Sequence, residues 1–320
     1  VWAMAAWEYY LYTGDKSWLE SVYDGLKYTA LKDIHVAFDA NVGLFKGETC
    51  SMDWRTHTYP NWFINSVIAD SFSSGTNALH KFFYQFLGTA GRIIQKPAEE
   101  IAMWEKYSGL LKENINKHFW DEKQGCYTCY LYPEYLGYRP TQRVGVMSNG
   151  LAAVLDIATT GQSIQMVENF PLYPYGAAVL YPSIPDDFSY HNKSVWPVWE
   201  TPYMYAARDV KNTKVVEHMI KSLVRAGALF LTHKENMTYD TGYDCGTALN
   251  SSRQLWSVAS YISMVYRVLF GMTMEEEGIT FTPVVPDLVA GKISLENFRY
   301  RDAVLNVNIT GKGNTVKKIT

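Results

Sequence analysis

Three polar segments, far apart in the chain, carry residue types suited to acid–base chemistry. The first is Gly47-Glu48-Thr49-Cys50-Ser51-Met52-Asp53-Trp54-Arg55. Asp53 can protonate a leaving oxygen if burial raises its pKa, and Arg55 can hold a hydroxyl or tune a neighbouring carboxylate. Trp54 offers a stacking face. A buried Asp–Arg pair or a helix cap would use the same residues. The second is Tyr190-His191-Asn192-Lys193-Ser194-Val195-Trp196-Pro197-Val198-Trp199-Glu200. Ser194 or Asn192 can cap a helix whose first turn accepts Pro197. Trp196 and Trp199 then share a face, with Glu200 one position further on. An aromatic pair plus a carboxylate suits a sugar subsite; core tryptophans at a helix start are the plainer alternative. The third runs from His233 through Glu235 and Asn236 to Tyr243, a polar loop after the apolar AGALFLT. Glu235 is its best general base, although a Glu beside Lys234 is also an ordinary solvated pair. Glycoside hydrolysis would unite the three, because it needs two carboxyl groups converging from distant segments. One acts as acid on the leaving oxygen, the other as base on water or as nucleophile.

Other chemistries lack their motifs. Neither GxGxxG nor a Walker A loop occurs, and HExxH and GxSxG are absent. The seven His residues are scattered without metal-ligand spacing, so no metal or cofactor is expected. Lys plus Arg (29) nearly balances Asp plus Glu (32), which removes the footprint of a nucleic-acid binder or a polybasic membrane anchor. No apolar run reaches transmembrane length. Four cysteines are too few for a disulfide scaffold, and the Cys126/Cys129 CxxC lies in a strand-like stretch with no second CxxC. The sequons at Asn192, Asn236, Asn250 and Asn308 read as incidental, since a glycan on two of them would block the expected cleft. Tyr (24) and Trp (10) are abundant, and their apolar bodies with polar tips can line a wet cleft as well as a core.

The elements that must position these segments are helical from residue 1 to about 272, by apolar periodicity. Residues 2–13 form a helix closed by Gly14, and Asp15 caps the next, over 16–32. Further helices are predicted over 61–70, 73–91, 97–118, 146–158, 161–168, 194–208, 212–229 and 252–271. Long helices joined by short turns, without βαβ alternation, indicate an all-α domain of hairpins. Between them lie long loops over 34–60, 120–145, 171–193 and 231–251, and loops of such length are usually functional. From about residue 278 the period becomes two, which predicts a small antiparallel β-region. The expected division is 1–275 for the helical domain and 276–320 for the β-region.

These segments together resemble the six-hairpin, (α/α)6-barrel glycosidases of the processing α-glucosidase, trehalase-like and glycogen-debranching group. That group carries an E-S-G-x-D-x-S-x-R-W-like segment whose Asp is the general acid. Asp53 stands at that position, five residues after Glu48, with Cys50 and Ser51 departing from the pattern. A Y-H-N-x-x-x-W-P segment is matched by Tyr190, His191, Asn192, Trp196 and Pro197. An E-N-Y-x-x-x-T-G segment is matched by Glu235, Asn236, Thr241 and Gly242, with Met237 replacing the aromatic. Gln254, Trp256, Ser257, Ala259 and Tyr261 resemble a final Q-x-W-S-x-A-x-Y helix.

The resemblance implies an (α/α)6 toroid and an inverting, exo-acting hydrolase of an α-linked sugar, of α-glucoside or α-L-rhamnoside type. Asp53 would be the acid and Glu235 the base, with Glu200 in reserve. Glu48, Trp54, Arg55, Tyr190, His191, Asn192, Trp196, Trp199 and Trp256 would bind substrate. A polysaccharide lyase or sugar epimerase on a similar toroid, or a non-catalytic carbohydrate-binding protein, is the alternative. The expected partner is an oligosaccharide or glycoside, with no nucleic acid, membrane span or evident protein partner. A full barrel needs twelve helices, so one hairpin or more is expected before Val1. The chain opens inside a helical pattern without a signal peptide, which leaves location open, with a periplasmic or secreted setting expected.

Overall fold

A computed structural model describes residues 1–48, 58–185 and 187–319. Asp53, Trp54 and Arg55 therefore lie outside the described residues. Among the described residues there are ten α-helices. They are α1 (Trp2–Thr13), α2 (Lys16–Ala37), α3 (Asn65–Ala69), α4 (Ser74–Ile93) and α5 (Ala98–Phe119), followed by α6 (Val146–Val154) and α7 (Thr160–Asn169). The last three are α8 (Pro197–Asp209), α9 (Thr213–Phe230) and α10 (Leu255–Ser263), which runs on into a π-helical turn, Met264–Leu269. Helix boundaries follow local chemistry. Gly14 closes α1 in the left-handed conformation with its N–H on the Tyr10 carbonyl, and the Asp15 side chain accepts the Trp18 N–H to start α2.

Helices α4, α6, α8 and α10 pack side by side in that order. Helices α2 and α5 lie against α4, and α7 and α9 lie against α8. One core gathers Leu19, Tyr23, Tyr84, Trp104 and Phe119 around α2, α4 and α5. The other gathers Val146, Trp196, Trp199, Tyr203, Met219 and Val268 around α6 to α10. Full burial of each such side chain contributes about 1.5–3 kcal/mol.

The all-α expectation needs correction, because short strands recur between the helices. Three hairpins follow α2, α5 and α7: Phe38–Asp39 with Leu44–Phe45, Trp120–Asp121 with Cys126–Tyr127, and Leu172–Tyr173 with Gly176–Ala177. The first two share a local cause. Asp39 accepts the N–H groups of Asn41 and Val42, and Asp121 those of Lys123 and Gln124. Gly43 (φ 73°) and Gly125 (φ 63°) then complete the turns in the left-handed region. Two-residue strands have no period to read; only the stretch around Cys126 reads as strand-like in the sequence, and Cys126–Tyr127 is a strand.

Several helix ends also differ from the sequence reading. The segment predicted over 61–70 is helical only at Asn65–Ala69. Ser194–Val195 is a strand paired with Met237–Thr238, so α8 starts at Pro197 with Trp196 at its N-cap. Neither Ser194 nor Asn192 caps it. Past residue 278 the chain forms the expected hairpin, Gly291–Tyr300 with Ala303–Gly311. Phe298 packs on Tyr12 and Tyr266, and the Arg301 N–H reaches the Tyr12 carbonyl. No helix among the described residues is long and apolar enough to cross a membrane.

Candidate active site

The second and third segments singled out in the sequence meet, and Thr58 joins them. Thr58, next after the undescribed stretch that carries Asp53, sets its Oγ1 3.2 Å from His191 Nδ1. Tyr190 donates its hydroxyl to Glu235 Oε1 at 3.3 Å. Glu235 Oε2 accepts the Ser251 N–H at 2.8 Å, and the Glu235 N–H returns to the Ser251 carbonyl at 3.0 Å. Glu235 is 6% exposed and is fixed by backbone on one side and by a phenol on the other. Glu48, at the upstream end of the same stretch, gives its carbonyl to the Thr76 hydroxyl in the first turn of α4.

The loops that carry these groups are cross-linked by amides. Asn192 Oδ1 accepts the Ile184 N–H at 2.9 Å and its Nδ2 donates to the Ile184 carbonyl at 2.8 Å. Both ends of this amide bond to the backbone, and the side chain is buried. Asn236 Nδ2 donates to the Leu249 carbonyl, and Asn250 Nδ2 donates to the Asn236 carbonyl at 2.7 Å.

The aromatic residues divide. Trp196 and Trp199 stack at 4.4 Å between ring centroids, on one face of the α8 start, as their spacing predicts. They are only 1% and 2% exposed, so as placed they offer no free face to a sugar, against expectation. Trp196 also donates its Nε1–H to the Tyr190 carbonyl at 2.8 Å, and His191 packs edge-on against both tryptophans. The pair thus braces the Tyr190–His191 segment from below. Trp256, 6.0 Å from Trp196, is 42% exposed and has surface to offer a ligand.

Sequence reasoning missed Arg143, which is buried and joins two of the loops. Its Nη1 donates to the Thr58 carbonyl at 2.7 Å and its Nε to the Pro182 carbonyl at 3.1 Å. Burial lowers its pKa, against the opposing pull of Cys129, Tyr130 and Asp187. Nothing in its sequence neighbourhood signals this, because its partners are main-chain groups 85 and 39 positions away. Thr58 and Ser251 were missed for the same reason.

Glu200 is buried in the first turn and a half of α8. Its Oε1 accepts the Ala177 N–H at 2.6 Å, and its Oε2 lies 3.3 Å from Ser222 Oγ. Burial pushes its carboxyl up to about 8, while the Ala177 N–H and Ser222 pull the other way. Its hydrogen-bond partners are separate from those of Glu235.

No family model matches the chain, and no curated protein sequence matches it. Solved structures do. A sialidase superposes on 97% of this chain and 30% of its own length, with a TM-score of 0.74 at 15% identity. The family GH78 rhamnosidase of Bacillus sp. GL1 covers 85% of this chain and 26% of its own, with a TM-score of 0.57 at 16% identity. The neutral trehalase of Saccharomyces cerevisiae covers 64% and 40%, with a TM-score of 0.52 at 16% identity. The fold is shared with these three proteins. The chain spans less than half the length of each of these proteins.

Proposed function

We propose that this chain forms the helical catalytic region, a six-hairpin (α/α)6 toroid, of a glycoside hydrolase that cleaves an α-linked sugar with inversion. Asp53 is the general acid and Glu235 the general base. The observation that carries the reading is the Tyr190–Glu235 contact between two sequence-distant segments, with Thr58 beside His191. The fold shared with glycoside hydrolases supports it. Glu235 is preferred to Glu200 because it shares a hydrogen bond with the Tyr190–His191 segment, whereas the oxygens of Glu200 face a hairpin N–H and a serine.

In this mechanism Asp53 protonates the glycosidic oxygen as the bond to the anomeric carbon breaks. Glu235 takes a proton from the water that attacks the opposite face. The Tyr190 hydroxyl and the Ser251 N–H hold the Glu235 carboxylate in the orientation needed for that transfer. An inverting pair requires the two carboxyl groups about 6.5–9.5 Å apart, with room for the water between them. Trp256 supplies a stacking face, and Arg55 and Trp54 complete the sugar site from the acid's own segment.

The decisive experiment incubates the protein with aryl α-glucosides and α-L-rhamnosides and follows the anomer released by NMR. The expected first product has inverted configuration, and Asp53→Asn abolishes its release while binding survives. A retained configuration, an unsaturated product or full activity in Asp53→Asn would each overturn the assignment.

A further inference from the structure

The hairpins after α2, α5 and α7 are each held by one side chain from a neighbouring helix, at the same place in that helix. Asn77 stands four residues after the N-cap Ser73, Asn149 four after Gly145, and Glu200 four after Trp196. Asn77 Oδ1 accepts the Phe45 N–H at 2.7 Å, and its Nδ2 donates to the carbonyls of Phe45 (3.0 Å) and Ser73 (2.9 Å). Asn149 Oδ1 accepts the Tyr127 N–H at 2.8 Å, and its Nδ2 donates to the carbonyls of Tyr127 and Gly145, both at 2.9 Å. Glu200 Oε1 accepts the Ala177 N–H. Phe45, Tyr127 and Ala177 occupy equivalent registers, paired with Phe38, Trp120 and Leu172.

Each asparagine supplies both an acceptor and a donor. A carboxylate supplies acceptors only, whereas a carboxylic acid supplies both. Ser222 Oγ stands between a carbonyl and Glu200. It lies 2.7 Å from the Tyr175 carbonyl oxygen and 3.3 Å from Glu200 Oε2. A hydroxyl has one proton, and a carbonyl oxygen can only accept, so the Ser222 proton belongs to the Tyr175 contact. With the Ser222 proton on the shorter contact, the longer contact with Oε2 leaves room for a proton on Glu200, a side chain that is 1% exposed. The groups around it are Ala177 from the hairpin, Ser222 from α9 and Tyr203 from its own helix, whose titration feels the Glu200 charge. Among the described residues no Lys or Arg forms an ion pair with it.

We propose that Glu200 is a positioning residue held as a neutral carboxylic acid, the third clamp of this series. It accepts from the Ala177 N–H and donates to Ser222, which donates in turn to the Tyr175 carbonyl. Both ends of the Tyr175–Ala177 turn are thereby fixed. The effect reaches the candidate site through Val179, whose N–H binds the Ser194 carbonyl at 2.9 Å and whose carbonyl binds the Val146 N–H at 3.1 Å. The inference does not depend on the glycosidase reading, because its test needs no substrate.

The folded-state pKa is raised, so the stabilisation is complete below the ordinary carboxyl pKa. It declines as pH rises and is lost through about 8. Thermal unfolding of wild type, Glu200→Gln and Glu200→Ala, from about pH 5 to 9, tests this. The expected wild-type Tm falls steadily with pH relative to Glu200→Gln, whose amide cannot ionise. Glu200→Ala lowers Tm throughout. At neutral pH the wild-type infrared spectrum should also show the carbonyl band of a buried protonated carboxyl, absent from Glu200→Gln. Parallel Tm profiles for wild type and Glu200→Gln, or no such band, would overturn the proposal. Should Glu200→Gln fail to fold, Ser222→Ala substitutes: it removes the proton acceptor, and an unmoved infrared band is the overturning result.

Discussion

Two hairpins of this molecule are closed by asparagine amides and a third by glutamic acid. The clamps of Asn77 and Asn149 serve hairpins that join the core around α2, α4 and α5, through Phe45 and Tyr127. The clamp of Glu200 serves the hairpin whose Ala177 lies in the core of Trp196 and Trp199, the half that carries the candidate site. The geometry is shared, but an amide keeps its donor at every pH and an acid loses it on ionisation. A carboxyl group beside tryptophans can thus be a hairpin clamp as readily as a catalytic group. What separates Glu200 from Glu235 is the company each keeps. Glu200 faces a hairpin, and Glu235 faces a loop and the phenol of Tyr190.

The largest expected effect would sharpen the contrast between these two glutamates. Glu235→Gln should lower kcat by about 10²–10⁴-fold, a loss not expected of Glu200→Gln. Steady-state hydrolysis and thermal scans on both variants check this, and a similar loss of kcat in the two would break the distinction. The next largest concerns the close approach at the acid clamp. A Cβ on Gly176 would stand 2.3 Å from Glu200 Oε1, at a φ of +139°. Gly176→Ala should therefore destabilise the fold by about 3–5 kcal/mol, from strain and overpacking together. Denaturant unfolding measures it.

Converting an amide clamp into an acid clamp is the third test. Asn149→Asp should cost about 2–4 kcal/mol at neutral pH, because an ionised Asp cannot donate to the Tyr127 and Gly145 carbonyls. The deficit should shrink in acid as the new carboxyl takes up a proton. A pH-independent deficit would show that the donor does not matter at this position. The smallest effect is expected at Trp256, which is outside all three clamps. Trp256→Ala should raise KM for an aryl glycoside several-fold, from the loss of about 1 kcal/mol of contact, with the unfolding midpoint little changed.

Much of the helical framework was legible. The 3.6-residue apolar period and the local signals at Gly14 and Asp15 placed α1 and α2. The same period gave α9 within a residue of its observed ends. Of the segments singled out, the second and third share the Tyr190–Glu235 contact. Three features were not legible: most of the short strands, the burial of Trp196 and Trp199, and Asn192 as a loop cross-link. The first has too few residues for a period. The other two depend on what lies across the fold.

By itself the sequence determined most of the helices, the caps at Gly14 and Asp15, and the residue types offered as candidates for the site. These are set by bonding within a turn or by which side of an element is apolar, and neighbours in the chain suffice for both. Only the tertiary structure decided which inventory residues share a contact. Tyr190 and Glu235 are 45 positions apart, and Thr58 and His191 are 133. It also decided the proposed proton on Glu200. Whether a buried carboxyl needs that proton depends on its partners, and Ala177 and Ser222 reach it only once the hairpin, α8 and α9 have packed.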